Sequence, residues 1–173
     1  LAADRRFVAI PPRRAWLNDI VWAQYCLFLF VRIHDDLFDR QAHSSSLAFV
    51  ADPLLREAET TFAKHRPDAA FWRLFRAHVT TTLAGILKVD ALQRRPRAMK
   101  TSALVLHASV SAIFKVGAAA ICVDAHRMRE FRHISRCADE LAIAEQILDD
   151  LFDIEEDVAR GRYTFVANRL LGD

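Results

Sequence analysis

One five-residue word occurs twice in the chain. Asp35-Asp36-Leu37-Phe38-Asp39 and Asp149-Asp150-Leu151-Phe152-Asp153 both read DDLFD, and both close apolar, helix-patterned segments. Acids at i and i+4 stand one turn apart on the same helix face. Like charges at that spacing repel, and beside apolar neighbours their ionised forms are costly, so a cation is expected nearby. Two such clusters facing each other across a helical bundle would form a cage for hard divalent cations and for the anion those cations hold.

The second cluster runs further. Asp149, Asp153 and Asp157 fall at i, i+4 and i+8, a stripe along one face, with Glu156 beside it and with Asp150 and Glu155 directed elsewhere. Arg160, Gly161, Arg162 and Tyr163 follow. Carboxylate oxygens thus precede two guanidinium forks. Mg²⁺ prefers a few carboxylates together with waters and phosphate oxygens, and guanidinium forks match phosphate in a bidentate way. Such a set neutralises charge on a departing diphosphate. Charged runs near helix ends are ordinarily solvated faces. However, acids in a last helical turn oppose the helix dipole, a cost that stability alone does not select for Asp35, Asp36 and Asp39.

The elements that must position these residues read as helix after helix. The patterning predicts a helix over 16–40, then a polar loop at His43-Ser44-Ser45-Ser46. Asp52 as N-cap with Pro53 in first position predicts a helix to 65. Pro67-Asp68 opens another, to 89, and Pro96 opens a long apolar one, to 123. Asp124 is expected to cap a helix ending near 160, with Gly161 as its stop and a short amphipathic segment over 163–171 behind it. No strand alternation appears.

At 173 residues the chain reads as one domain, 1–173, large enough for a real core. Only 4 Gly and 5 Pro suit helices better than a turn-rich β fold. A net charge of +2 with no basic run among aromatics argues against nucleic acid. Cys26, Cys122 and Cys137 form no CxxC pair and read as reduced, buried thiols of a cytoplasmic protein without a signal peptide. Residues 20–33 are too few to span a bilayer, and 98–123 carry Lys100, His107 and Lys115, so no transmembrane segment is expected. His34 reads as an ordinary helix histidine ahead of one that orients the Asp35 carboxylate, His107 and Lys115 as side chains that snorkel or pair locally ahead of groups pointing into a cavity mouth, and Gly117 as a kink beside substrate or a close helix contact.

On these residues the chain resembles the class I isoprenoid synthases: trans-prenyltransferases, squalene and phytoene synthases, and class I terpene cyclases. Asp35 to Asp39 match the first acidic motif. Gln146-Ile147-Leu148-Asp149-Asp150-Leu151-Phe152-Asp153 is similar to the prenyltransferase QxxDDxxD. Its continuation through Glu155-Glu156-Asp157 to Arg160-Gly161-Arg162 is closer to the DxxED…RGR of squalene and phytoene synthases. Lys100-Thr101 resembles the prenyltransferase Lys-Thr pair. Two prenyltransferase elements have no counterpart: the Arg-Arg pair after the first motif (only Arg40 follows) and the Gly-Lys-x-x-Arg element, for which Arg13-Arg14 is a distant candidate.

The resemblance implies an all-α antiparallel bundle around a central apolar cavity, C-terminally incomplete here. It implies Mg²⁺, three ions with the diphosphate, on Asp35, Asp39, Asp149, Asp153 and Asp157. It implies catalytic roles for Asp35, Asp36, Asp39, Asp149 and Asp153, and diphosphate binding by Lys100, Arg160, Arg162 and Tyr163. The substrate would be an allylic isoprenoid diphosphate, its tail against Phe28, Phe30, Val31, Leu104, Phe114 and Ile121. Ionisation would give a terpene or a coupled or elongated prenyl product, in a monomer or a homodimer. The competing reading is a catalytically silent protein of the same fold that binds lipid or a partner subunit. A di-iron bundle needs paired Glu-x-x-His words, and Glu130-Phe131-Arg132-His133 is the only one.

Overall fold

The computed structural model describes residues 11–38, 44–65, 68–96 and 99–170. The fold is all-α, with no strand among the described residues. Helix α1 spans Pro11–Phe38, α2 Ala48–Ala63, α3 Ala69–Gln93, α4 Val105–Val110, α5 Val116–Asp124, α6 Met128–Phe152, α7 Ile154–Ala159 and α8 Phe165–Leu170.

The start signals are partly those expected. Asp68 caps α3 through its carboxylate, which accepts from the Ala70 N–H at 2.5 Å and the Phe71 N–H at 3.3 Å. Asp52-Pro53 does not open α2. The Ser44 hydroxyl accepts from the Ser46 N–H at 3.2 Å and starts a 3-10 turn, Ser45–Leu47, that leads into α2 ahead of the proline. Pro53 lies inside α2. The carbonyl it leaves without a donor belongs to Phe49, an exposed residue that water can serve.

The expected apolar helix over 96–123 is not one helix. It resolves into a 3-10 turn Thr101–Ala103, α4, a 3-10 stretch Ser111–Lys115, and α5. The Ile113 N–H donates to Thr82 Oγ1 at 2.9 Å, so a side chain outside the segment takes a donor that an α-helix would keep. Thr101–Asp124 is long and apolar enough to cross a membrane by length and composition. Within it Ile113, Val116, Ala119 and Ala120 are buried in protein.

Asp124 ends α5 rather than capping the next helix. His126 follows in the left-handed region, at φ 54°, and α6 begins at Met128. Nor does α6 reach residue 160: it stops at Phe152, and Asp153 joins it to α7. Gly161 is the expected stop, at φ +69° with open space where a side chain would stand.

The chain divides into two compact units, Leu1–Leu74 with Val116–Arg127, and Phe75–Lys115 with Met128–Asp173. In the first, α1 buries Trp16, Ile20, Ala23, Leu27 and Phe30, a four-three spacing that makes one continuous face. That helix packs along α2 and α5. Gly117 makes the close contact with α1: its N–H donates to Gln24 Oε1 at 2.8 Å, and a Cβ there would stand 3.4 Å from Ile20 Cγ2. Phe62 and Phe71 close this core with ring centroids 5.1 Å apart. His65 meets the Asp19 carboxylate at 2.5 Å, and Glu57 accepts from the Trp22 indole at 3.2 Å. All three tryptophans, Trp16, Trp22 and Trp72, belong to this unit.

The second unit has a more polar interior. Phe75, Ile86, Met99, Ile113, Phe131 and Val166 share it with Thr82, Gln93, His107, Lys115, Asp150, Thr164 and Asn168, all buried. Gly85 lets α3 and α4 touch backbone to backbone; a Cβ on it would meet Val110 N at 2.9 Å.

Candidate functional site

The first acidic word belongs to the first unit. Asp35 and Asp36 lie in the last turn of α1, half-buried, where the helix dipole opposes them. The compensating cation is Arg32, one turn back on the same helix. Its guanidinium approaches Asp36 at 2.9 Å and Asp35 at 3.8 Å. His34 turns away, as an ordinary helix histidine: its Nδ1–H donates to the Phe30 carbonyl at 2.8 Å and its ring lies 4.6 Å from the Phe30 ring. Asp39 lies outside the described residues, as does Arg40.

The second word belongs to the second unit, and its two leading acids part company. Asp149 is exposed; Asp150 is 1% exposed. Asp150 accepts from Gln146 Nε2 at 2.9 Å and from the Val166 N–H at 3.4 Å, which ties α6 to α8. Asp150 is therefore turned inward where Asp149 is exposed, yet it stays close enough to Asp157 to push that carboxyl up.

The stripe itself survives the break at Asp153. The Asp153 N–H donates to the Asp149 carbonyl at 3.0 Å and the Asp157 N–H to the Asp153 carbonyl at 2.8 Å. These two i to i−4 bonds link the three acids across the junction between α6 and α7. Asp157 records their company. Burial pushes its carboxyl up to about 6 from 3.8, and Asp150, Asp153 and Asp149 push the same way against Arg162.

The basic residues behind the stripe are held by the chain. Arg160 pairs with Glu156. Arg162 donates to Gln93 Oε1 at 2.6 Å, and the Gln93 carbonyl accepts from the Tyr163 N–H at 2.6 Å. Gln93 thus clamps the turn that follows α7. Lys100 is exposed at the head of the Thr101–Ala103 turn, and Arg169 donates to the neighbouring Thr101 hydroxyl at 2.5 Å. Sequence reasoning did not single out Arg32, Gln93 or Arg169. Arg32 had a legible signal, since it stands three and four residues before two acids. Gln93 and Arg169 act 69 and 68 residues away from their partners, and no local pattern carries that.

A second set of ionisable groups lies in the same unit. Lys115 is 7% exposed and paired with Asp139. Burial pulls His78 down, with Lys115 adding to the effect and Asp139 opposing it; burial pulls His107 down against Asp150. Among the described residues, neither His78 Nε2 nor His107 Nε2 has a hydrogen-bond partner. Of the expected tail-binding residues, Phe30 and Val31 are buried, Phe28 and Phe114 exposed, and Leu104 and Ile121 between. Glu130 and His133 are both exposed.

Among the described residues no three His, Cys, Asp or Glu side chains converge on one point that would hold a metal ion. The donor chemistry still suits a hard cation: Asp149, Asp153 and Asp157 offer oxygen only, and a cation would relieve their mutual repulsion. No protein-family model, no curated protein and no solved structure matches this chain.

Proposed function

We propose that this chain is a Mg²⁺-dependent enzyme of the class I isoprenoid synthase type that ionises an allylic isoprenoid diphosphate and releases diphosphate. The observation that carries the proposal is the acidic stripe at Asp149, Asp153 and Asp157, where burial first, and then Asp150, Asp153 and Asp149, raise the Asp157 carboxyl to about 6. Carboxylates crowded to that degree are stabilised by a bound cation. Bound Mg²⁺ would neutralise charge developing on the diphosphate. Asp149, Asp153 and Asp157 would hold it through oxygen, with water and phosphate oxygens completing its shell. Asp35 and Asp39 would do the same from the first word. Lys100, Arg160, Arg162 and Tyr163 would bind the diphosphate, Arg162 being already oriented by Gln93. An antiparallel bundle around an apolar cavity, and a single domain over 1–173 in the cytoplasm, belong to the same proposal.

The test is diphosphate release from geranyl, farnesyl and geranylgeranyl diphosphates, with Mg²⁺ or EDTA, alongside Asp35→Ala and Asp149→Ala. Mg²⁺-dependent release that both variants abolish is the expected result, and the organic product separates cyclisation from coupling or elongation. No release from folded protein, with or without isopentenyl diphosphate, sinks the enzyme. The second reading, a silent lipid-binding or partner subunit, would then stand, favoured by the exposed apolar residues of α6.

A further inference from the structure

Helix α6 is 25 residues long, about 37 Å, and it presents two opposite faces. Phe131, Ala142 and Asp150 point into the second unit. On the other side Ile134, Leu141, Leu148 and Leu151 are 41%, 59%, 54% and 52% exposed, and Cys137 and Ala144 are exposed between them. The six residues repeat at alternating steps of three and four (134, 137, 141, 144, 148, 151). That is the a/d seam of a coiled coil, three a and three d positions in succession. A seam of this length facing water marks an interface.

We propose that this seam closes on the same seam of a second copy, with the two α6 helices antiparallel about a two-fold axis. Size and charge together select that occupant and that direction. The a positions are all large (Ile134, Leu141, Leu148) and two of the three d positions are small (Cys137, Ala144). Antiparallel pairing sets a against d, so Leu141 meets Ala144 and Leu148 meets Cys137 in layers of matched volume. Parallel pairing would stack leucine on leucine and leave alanine opposite alanine, with a void. The flanks agree. In a parallel pair Glu140 of one helix faces Glu145 of the other, twice over by symmetry. In the antiparallel pair Glu140 lies beside Ile147 and Glu145 beside Ala138, so no like charges meet. A closed two-fold contact uses one patch on both copies and leaves no open end. The proposal stands apart from the enzymatic one, since it uses none of the acidic stripe.

The test is sedimentation velocity of the whole chain from about 1 to about 100 µM, with Leu141→Glu in parallel and far-UV circular dichroism as the check on folding. A dimer that Leu141→Glu weakens at least about tenfold, with helicity retained, is the expected result. Direction is read from mild diamide oxidation of Leu148→Cys. The antiparallel seam gives an interchain disulfide between Cys137 and the introduced thiol. A monomer throughout, a dimer indifferent to Leu141→Glu, or a Cys137-to-Cys137 disulfide in the unaltered chain would each overturn the proposal.

Discussion

The Asp150 carboxylate accepts a hydrogen bond from the Val166 N–H at 3.4 Å, while Asp149, its neighbour in sequence, faces solvent. The paired acids of the second word therefore have different jobs. Asp150→Ala leaves the Val166 N–H and the Gln146 amide without their acceptor and is expected to cost roughly 2–3 kcal/mol. Asp149→Ala should stay within about 0.5 kcal/mol of the parent chain. Urea unfolding of both variants measures the difference, and equal losses would contradict this division.

Lys115 and Asp139 make the second prediction. The ammonium is the buried partner, so Asp139→Ala leaves it uncompensated and should cost roughly 3 kcal/mol. The double variant Lys115→Met, Asp139→Leu removes the charge as well as its partner and should recover much of that loss. A double-mutant cycle by chemical denaturation reads both quantities.

Asp157 gives stability a pH dependence of definite sign. Its folded pKa, about 6, lies above the ordinary 3.8, so the native state holds this proton more tightly than the unfolded chain does. The contribution is present at low pH and is lost as pH rises from about 4 through about 6. Asp157→Asn should flatten that part of the stability profile. The ionised form is the one that attracts a cation, so Mg²⁺ affinity should rise over the same interval, as isothermal titration calorimetry would show.

His78 and His107 act in the opposite sense. Both are pulled below 6.5, chiefly by burial, so the unfolded chain binds their protons more readily than the native state. Their contribution is present above 6.5 and is lost as pH falls through that value. Imidazole resonances followed by NMR should titrate below 6.5 for both residues.

Gly85→Ala tests the backbone contact between α3 and α4. The new methyl would sit 2.9 Å from Val110 N and 3.0 Å from Ser109 C, atoms that cannot turn aside. A loss of roughly 1–3 kcal/mol is expected, read as a lower thermal midpoint.

Helical character and some boundaries were legible in the sequence, because they depend on local signals: Asp68 before α3, Gly161 after α7, and the alternating fours and threes that bury one face of α1. The break of the 96–123 segment was not legible. It depends on Thr82, an acceptor 31 residues from the Ile113 N–H it takes. Asp52-Pro53 misled for a related reason, since a competing cap at Ser44 lay close upstream with equally suitable chemistry. In the candidate site the i, i+4, i+8 spacing did not foretell that Asp150, one residue off the stripe and buried, also acts on Asp157. The identity of the compensating groups depended on tertiary packing, as with Gln93 and Arg162, except for Arg32, which sits on the same helix as its acids.

The placement of Trp16, Trp22 and Trp72 gives the molecule a built-in optical partition. Indole emission reports the Leu1–Leu74, Val116–Arg127 unit, while far-UV ellipticity samples helices of both units. Melting curves from the two signals that superimpose would mark one cooperative transition. Curves that separate would give each half its own midpoint, and a ligand seated on the Asp149 stripe would then move the ellipticity curve while leaving the emission curve in place.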